Sequence, residues 1–266
     1  MQLLPTFKVI ASTSEGNAYV MNAGESLLIE AGASMAQIMH AIDYHVRNVE
    51  GCIITHEHGD HAGHINEVLS YGIPVWATIG TINALVNRIN PRYIEAGLVH
   101  PIESQPGENG ERIYKPFNLG RYQITAFPTK HDAAEPVGFY IEHESIGATL
   151  FATDTYYLPC TFANLSHVVI ECNYLPALLE RNALNGVNGM NSARAERVKA
   201  SHLSLDTCLE ALQANDLTAV QDITLIHLSY TNGNAATFKH AVEQATGIPT
   251  YIAKPGLCLP FTPSPF

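Results

Sequence analysis

The sequence is poor in basic residues, and this shortage limits the partners that it can have. Lys and Arg number 14 of 266 residues against 25 Asp and Glu, so the formal net charge is -11. A protein that holds duplex nucleic acid normally carries a basic surface that neutralises several phosphates. We therefore expect no stable duplex binding, and the charge favours a small substrate over a long polymer.

Paired cysteines and long apolar runs are lacking as well. The five cysteines are odd in number, are widely spaced and form no C-x-x-C pair, being Cys52, Cys160, Cys172, Cys208 and Cys258. This pattern argues against a disulfide framework and against a cysteine zinc site. The chain contains no run of about 18 apolar residues, the length needed to span a bilayer. Its N-terminal segment lacks the basic region of a signal peptide. The sequence therefore predicts a cytoplasmic protein without membrane association.

The chain does contain an alternation of short apolar strands with amphipathic helices, and 46% of its residues are hydrophobic. The patterns predict strands at Thr6–Ala11, Ala18–Met21, Ser26–Ile29, Cys52–Thr55, Tyr122–Phe127, Val137–Ile141, Ala148–Thr153, Val168–Glu171, Ile223–Ile226 and Thr250–Ala253. They predict helices at Met35–Val46, His64–Leu69, Thr81–Asn87, Ser204–Ala214 and Ala235–Ala245. Strands with helices outside them predict an α/β protein, an αβ/βα sandwich in a single domain over residues 1–266. The Asn-rich stretch 173–191 predicts a loop or mobile arm that reaches to about residue 200.

Four potential metal ligands follow one buried strand within six residues: His56, His58, Asp60 and His61. Residues two apart on an extended segment point the same way, so His56 and His58 can bind one ion. The turn at Gly59 re-aims the chain, so that Asp60 and His61 can face a second ion. Imidazole and carboxylate groups suit zinc, with manganese or iron as alternatives.

Three further candidates each follow an apolar strand elsewhere in the chain: His131, Asp154 and His227. Taken singly, each residue is more often structural than ligating. An open α/β sheet, however, places its site beyond the carboxyl ends of its strands, and all three share that placement. The sequence therefore predicts seven ligands for two divalent ions.

The order HxHxDH, then His, then Asp, then His resembles the metallo-β-lactamase superfamily over nearly the whole chain. That resemblance implies the family's αβ/βα sandwich. It also implies one metal on His56, His58 and His131 and a second metal on Asp60, His61 and His227, with Asp154 bridging them. The ions would be two Zn²⁺, with Mn²⁺ as the alternative. Ser12–Asn17 resembles the family's S-x-G-N opening, and Leu27–Gly32 resembles its L-I-D-A-G strand with Glu30 in place of the usual Asp.

Two segments indicate which branch of the superfamily the chain resembles. Lys130–Phe139 and Ala152–Thr155 are similar to the YycJ-type (WalJ) exonuclease-like proteins. That branch normally continues E-S-N-H-D, whereas residues 171–175 of this chain read Glu-Cys-Asn-Tyr-Leu. The missing His-Asp pair leaves the substrate of that branch open. Small phage and bacterial cyclic-nucleotide phosphodiesterases of the anti-Pycsar type, which counteract cyclic-nucleotide defence signalling, also look similar to this chain.

A further histidine is a candidate for a catalytic role at the phosphate of the substrate. Ser201–Ser204 resembles the ribonuclease Z-like motif whose histidine acts on the phosphate, which here is His202. A helix predicted to begin at Ser204 would offer free N–H groups and its positive dipole end to an anion. The same dipole would lower the pKa of His202, so a proton-donor role requires the negative charge of the substrate nearby. The alternative interpretation is an ordinary surface histidine beside a helix cap.

Basic residues are concentrated just before His202, at Arg181, Arg194, Arg197 and Lys199. In an acidic chain this cluster creates a local positive field that could bind a phosphate or a dimer partner. The alternative interpretation is that these residues form an ordinary solvated helix face. We predict substrate binding by the last three of these residues and a homodimer.

These observations favour hydrolysis of a nucleotide phosphodiester, with a 3′,5′-cyclic nucleotide slightly ahead of a polynucleotide. Two cations would supply a nucleophile from water at neutral pH. Asp60 would act both as ligand and as acceptor for that nucleophile, and His202 would protonate the leaving oxygen. The alternatives are a nuclease of the YycJ or ribonuclease Z type on DNA or RNA, a lactam or thioester hydrolase on the same metals, and a non-catalytic metal-bound binding protein.

Overall fold

The computed structural model describes residues 4–108 and 110–263, which form two seven-stranded sheets and one two-stranded sheet. The first large sheet contains β1 (Thr6–Thr13), β2 (Gly16–Asn22), β3 (Ser26–Ile29), β4 (Val49–Ile53), β5 (Val75–Ala77), β6 (Val99–Pro101) and β16 (Cys258–Pro260). The two-stranded sheet pairs β7 (Ser104–Pro106) with β8 (Arg112–Tyr114). The second large sheet contains β9 (Phe117–Leu119), β10 (Tyr122–Pro128), β11 (Val137–His143), β12 (Gly147–Ala152), β13 (Leu165–Glu171), β14 (Asp222–Ile226) and β15 (Thr250–Ile252).

Each large sheet has an antiparallel half and a parallel half. The spatial orders are β16-β1-β2-β3-β4-β5-β6 and β15-β14-β13-β12-β11-β10-β9. Strands β3 to β6 run parallel in the first sheet, and β12 to β15 run parallel in the second. Strand β13 is buried along its whole length, as its run of β-branched residues favours for a parallel strand covered on both faces.

Helices lie on the outer faces of the two large sheets and beside their edges. They are α1 (Met35–Ala41), α2 (Gly59–Ala62), α3 (Ile65–Ser70), α4 (Ile79–Leu85), α5 (Pro91–Glu95), α6 (Pro176–Asn185), α7 (Ser192–Lys199), α8 (Leu205–Gln213) and α9 (Ala235–Thr246). Leu28 of the first sheet packs in one cluster with Ile38 of α1 and Val68 of α3. Val168 of the second sheet packs with Phe238 of α9. The four layers confirm the predicted αβ/βα sandwich.

The central core lies between the two sheets. Phe7 and Tyr19 of the first sheet and Phe139 and Phe151 of the second are fully buried there. The rings of Tyr19 and Phe151 meet edge to face with centroids 5.3 Å apart and so join the sheets. Each such side chain stabilises the fold by about 1.5–3 kcal/mol relative to exposure. The core holds the carboxyl ends of the parallel strands at a common edge.

The observed elements confirm most of the predicted ones and correct two. Each predicted strand overlaps an observed one, and α8 begins as expected with Ser204 as its N-cap. The helix predicted over Met35–Val46 is wrong beyond Ala41, because Asp43 and Tyr44 adopt left-handed backbone conformations.

The loop interpretation of residues 173–200 is also wrong, since most of that stretch forms α6 and α7. Within the described residues, no helix is long and apolar enough to cross a bilayer.

Candidate metal centre

The loop after β4 carries four of the predicted ligands on two differently directed segments. His56 follows the strand, and His58 is the N-cap of α2 with an extended backbone. Asp60 and His61 then lie in the first turn of α2. The short helix turns the last two ligands away from the direction of the first two, as the turn at Gly59 predicts. His56 and His61 are almost completely buried.

A group of three histidines forms the first cluster, which we call the three-histidine group: His56, His58 and His131, with Asp154. His58 Nδ1 lies 3.0 Å from His56 Nε2 and 3.1 Å from His131 Nε2. Asp154 Oδ2 lies 3.4 Å from His56 Nε2 and 3.7 Å from His131 Nε2. Four potential ligand atoms therefore surround one point.

A second cluster, which we call the aspartate group, contains Asp60, His61 and His227, again with Asp154. Asp60 Oδ2 lies 3.3 Å from His61 Nε2 and 3.3 Å from His227 Nε2. Asp154 Oδ2 lies 3.0 Å from His61 Nε2. The same Asp154 oxygen therefore faces both groups, which is the position that a bridging ligand requires.

The spacing and the donor types of both groups fit divalent metal ions. Nitrogen and oxygen ligands at about 2.0–2.2 Å from a tetrahedral ion lie about 3.3–3.6 Å from one another. The separations within the two groups run from 3.0 to 3.7 Å. Five imidazoles packed this closely cannot all donate to one another, since a neutral ring has one N–H. The donor set is therefore suited to two cations of the zinc or manganese type.

Unusual backbone conformations aim two of these ligands. Asp154 follows β12 with φ 47°, and His227 follows β14 with φ 53°. Glu30, which follows β3, has φ 69°. Left-handed conformations of residues other than glycine cost about 1–3 kcal/mol each and cluster at functional sites. The sharp turn at each strand end directs the side chain back over the sheet edge.

The two segments that resemble the family's opening motifs, Ser12–Asn17 and Leu27–Gly32, contact the loop that carries Asp60 and His61, which we call the ligand loop. Asn17 Nδ2 lies 3.1 Å from His61 Nε2 and 3.3 Å from Asp60 Oδ2. The amide N–H of Ala31 donates to the carbonyl oxygen of His61 at 2.7 Å. Gly32 lies directly against the Asp60 backbone, where a Cβ atom would come within 1.7 Å of the Asp60 carbonyl oxygen. A side chain at this position would therefore displace the ligand loop.

The two groups differ in the pKa of their histidines. Burial lowers the pKa of His56 and of His131 below the usual range. Burial also opposes the charged forms of His61 and His227, but the carboxylates around them outweigh it. The pKa of His61 is raised well above its usual value, and that of His227 is raised to about 10. The aspartate group therefore has the more negative surroundings.

Glu171 is a site residue that the sequence reasoning missed, because it was interpreted only as the end of a strand. Its carboxylate is fully buried and lies 2.7 Å from His202 Nδ1 and 3.1 Å from His227 Nδ1. It also accepts the backbone N–H groups of Thr155 and Leu203, both at 3.2 Å. An acidic residue at the carboxyl end of a fully buried strand was the signal available in the sequence.

Glu171 also corrects the expected electrostatics of His202. Burial lowers the pKa of the imidazole, but the charge and hydrogen bond of Glu171 outweigh burial and raise it above its usual value. The net shift is therefore upward, opposite to the lowering expected from the helix dipole alone. The negative charge that favours a protonated His202 was expected from the substrate, whereas the buried carboxylate of Glu171 already supplies one.

A cavity of about 390 Å³ opens over the two groups. Helix α7 forms one wall through Arg194, Arg197 and Val198, and the loop before it adds Met190. His202 and the ligands His58, Asp60, His131, Asp154 and His227 form the floor.

The three predicted basic residues differ in their surroundings. Both Nε and Nη2 of Arg197 contact Asp132 Oδ2, at 2.9 and 2.7 Å, whereas Arg194 contacts only backbone carbonyl oxygens in the described interactions. Lys199 lies outside the cavity lining and pairs with Glu196 and Glu180.

A larger cavity of about 770 Å³ lies elsewhere, between β1 and α1. Its lining includes Lys8, which donates to the Ala41 carbonyl oxygen and pairs with Asp43. None of the ligand clusters found among the described residues borders it. The metal centre is therefore the candidate site because potential ligand side chains converge there, although its cavity is the smaller of the two.

Comparison with known proteins agrees with this geometry. A family model described as the beta-lactamase superfamily domain matches residues 19–228. Exodeoxyribonuclease YycJ of Bacillus anthracis is 30% identical over 157 residues, which are 57% of this chain and 55% of that protein. Anti-Pycsar protein Apyc1 of Bacillus phage 010DV004 is 32% identical over 87 residues, which are 31% of this chain and 34% of that protein. The alignments thus span about half of the first relative and about a third of the second.

Solved structures share the architecture across the whole chain. The metallo-beta-lactamase fold protein YhfI from Bacillus subtilis superposes with a TM-score of 0.69 at 15% identity, over 97% of this chain and 99% of that one. The resemblances that the sequence predicted, to the superfamily and to its YycJ-type and anti-Pycsar branches, are confirmed.

Proposed function

Because the chain belongs to the beta-lactamase superfamily, we propose that it is a two-metal phosphodiesterase that hydrolyses a nucleotide phosphodiester. The preferred substrate is a small 3′,5′-cyclic nucleotide. The observation that carries the proposal is the convergence of seven ligand side chains into two groups that share Asp154, beneath a cavity that also contains His202 and Arg194. An acyl hydrolase would have less use for the last two residues.

The three-histidine group would hold one ion and the aspartate group the other, with Asp154 facing both. Zn²⁺ is the proposed metal, since imidazole and carboxylate ligands in a tetrahedral arrangement suit it, and Mn²⁺ is the alternative. When bound, the two ions would lower the pKa of a coordinated water and offset the charge of the phosphoryl oxygens.

The protein's own side chains would then perform the remaining tasks. Asp60, with Oδ2 between His61 and His227, would accept a hydrogen bond from the attacking water and so orient it. His202 is tied to Glu171 through Nδ1, which makes Nε2 the nitrogen available to the substrate. Glu171 raises the pKa of His202, which favours the protonated imidazole, and its Nε2–H would be donated to the leaving oxygen.

The size and the charge of the cavity favour a single nucleotide. Its volume of about 390 Å³ is near the lower end of the roughly 300–1,000 Å³ that small-molecule sites occupy. Arg194 is suited to a phosphate or a ribose oxygen, and Met190 with Val198 would contact the apolar face of the base or sugar. Arg194 and Arg197 are the only arginine or lysine side chains among the described lining residues, and Arg197 is already paired with Asp132.

The second candidate is an exonuclease that admits one terminal nucleotide of a strand. The similarity to exodeoxyribonuclease YycJ favours it, and a cavity of this size would accept a strand end as well as a free nucleotide. The formal net charge of -11 favours the cyclic nucleotide, since a polynucleotide is normally held by several phosphate contacts with basic residues.

A substrate panel tests the proposal. The metal-loaded protein is incubated with 3′,5′-cyclic nucleotides of each base, single-stranded DNA, single-stranded RNA, bis-nitrophenyl phosphate and a chromogenic lactam. A variant Asp60→Asn, purified in parallel, reveals contaminating phosphodiesterases. We expect cyclic nucleotides to be converted to mononucleotides by the wild type alone.

Each other outcome has a defined meaning. Polynucleotide cleavage with cyclic nucleotides left intact would replace the first candidate with the second. Lactam hydrolysis without phosphodiester cleavage would overturn the proposal altogether. The homodimer predicted from the sequence stays a prediction, and sedimentation of the purified protein measures it.

A further inference from the structure

The two ligand groups differ in what lies behind their histidines. In the aspartate group, His227 Nδ1 lies 3.1 Å from Glu171 Oε1 and forms a hydrogen bond with it. His61 Nδ1 lies 3.3 Å from Glu30 Oε1, close enough for an ion-pair contact although it is not aligned as a hydrogen bond. Both carboxylates are completely buried, so solvent does little to screen their charge.

In the three-histidine group the corresponding partners are neutral. His56 Nδ1 lies 2.9 Å from the Thr55 hydroxyl, and His131 Nδ1 lies 2.9 Å from the carbonyl oxygen of Ser201. Asp132 approaches His131 Nε2 at 3.4 Å, but its charge is offset by the guanidinium of Arg197 at 2.7 Å.

The fixed charges around the two groups are therefore unequal. A cation in the aspartate group would face its own ligand Asp60, the buried carboxylate of Glu30 and that of Glu171, which also pairs with His202, besides the shared Asp154. A cation among the three histidines would face the shared Asp154 and the Asp132–Arg197 pair. Carboxylates behind metal-bound histidines also fix the ring orientation and raise the basicity of the ligand.

We infer that the two metal sites bind unequally and fill in a fixed order, the aspartate group first, with Glu30 and Glu171 as the positioning residues that set the order. The inference rests on the proposed two-metal centre. It assigns a function to the unusual backbone of Glu30, whose left-handed conformation turns its carboxylate towards His61 instead of along the strand. The Thr55 hydroxyl, 2.5 Å from Glu30 Oε1, holds that carboxylate in place.

Cadmium-113 NMR distinguishes the two sites directly, because each gives its own resonance. The metal-free protein is titrated with Cd²⁺ at about pH 8, where protons compete less for the imidazoles. We expect a single resonance up to one equivalent and a second resonance only beyond it. The first resonance should persist in His58→Ala, which removes a ligand of the three-histidine group alone, and should be lost in His227→Ala.

Calorimetric titration of a charge variant gives an independent measurement that leaves every ligand in place. Glu30→Gln should weaken the first binding event by roughly 10–100-fold and leave the second within about threefold. Glu95→Gln removes the same charge from an exposed position on α5 and should change neither event. Circular dichroism of all variants checks that they are folded.

The outcomes separate this inference from the proposed function. Two equivalents that bind in the opposite order, or two resonances that grow together from the first addition, would overturn the inference and leave a two-metal centre standing. An unchanged first event in Glu30→Gln would remove the role of that residue. A protein that takes up no metal would overturn the proposed function as well.

Discussion

The close contact between Gly32 and the Asp60 backbone makes a direct test of how the metal centre is built. A Cβ atom at position 32 would lie 1.7 Å from the Asp60 carbonyl oxygen and 2.5 Å from the Asn17 amide nitrogen. Both neighbours are backbone atoms, which cannot rotate away as a side chain can. In Gly32→Ala, the start of α2 must therefore move by roughly 1 Å or more, at a cost of about 1–3 kcal/mol.

Such a movement is large compared with what metal coordination tolerates. Ligand distances have to agree to about 0.2 Å, and a misplacement of about 1 Å in a catalytic arrangement can cost on the order of 100-fold in rate. We expect Gly32→Ala to lose the ion of the aspartate group, to lose at least about 100-fold in kcat/KM, and to melt about 2–10 °C lower.

Metal content by atomic emission, steady-state kinetics and thermal denaturation measure these three effects. Gly59→Ala is the matched control, because it adds the same methyl group one residue before Asp60, where nothing lies within 4 Å of the new Cβ atom. The control should keep both ions and near wild-type activity. A Gly32→Ala protein that binds two ions and retains full activity would show that this backbone contact does not position the metal centre.

Three further predictions follow from the cavity and its charges. Arg194→Ala should raise KM for the nucleotide about tenfold with little change in kcat, since a charged hydrogen bond is lost. Lys199→Ala, the control, should change neither constant. Equal effects of the two substitutions would contradict the assignment of Arg194 to the cavity. His202→Ala should lower kcat by about 100- to 10,000-fold with both ions retained, and full activity in this variant would remove its proposed role as proton donor. The metal-free protein should lose stability between about pH 7 and about pH 9. The pKa of His227 is raised to about 10 in the folded state, whereas it is about 6.5 in the unfolded chain. The folded state therefore binds more protons in this range, and its stability falls as the pH rises. Thermal denaturation with and without a chelator measures this dependence, and a melting temperature of the metal-free protein that rises with pH would exclude it.

Strand ends could be predicted from the sequence because local patterns specify them. Asp154 and His227 each follow a run of buried β-branched or aliphatic residues, and such runs end where the sheet ends. Parallel strands bring their carboxyl ends to one edge, so the seven candidate ligands could be placed together from the sequence. Three-residue strands such as β5, β6 and β16 were missed because they are too short to display a periodicity.

What could not be predicted depends on contacts between distant parts of the chain. Glu171 lies 31 residues from His202 and 56 from His227 in sequence, and no local pattern connects them. Helix α6 was mistaken for a loop because Asn residues obscured its apolar face. Its boundaries were nevertheless marked by Pro176 in the first turn and by Gly186 at the C-cap, the usual asymmetry of helix ends.

Helices α6 and α7 pack on each other through a small apolar cluster of their own, which is separate from the three larger ones. Tyr174, Leu179 and Ala195 form its centre, and Met190 and Val198 join it from the side of the cavity. The cavity wall and the ligand-bearing strand ends are thus built on different supports. We therefore expect a chimaeric graft of this helical hairpin that keeps Arg197, the partner of Asp132, to change substrate preference more than metal binding.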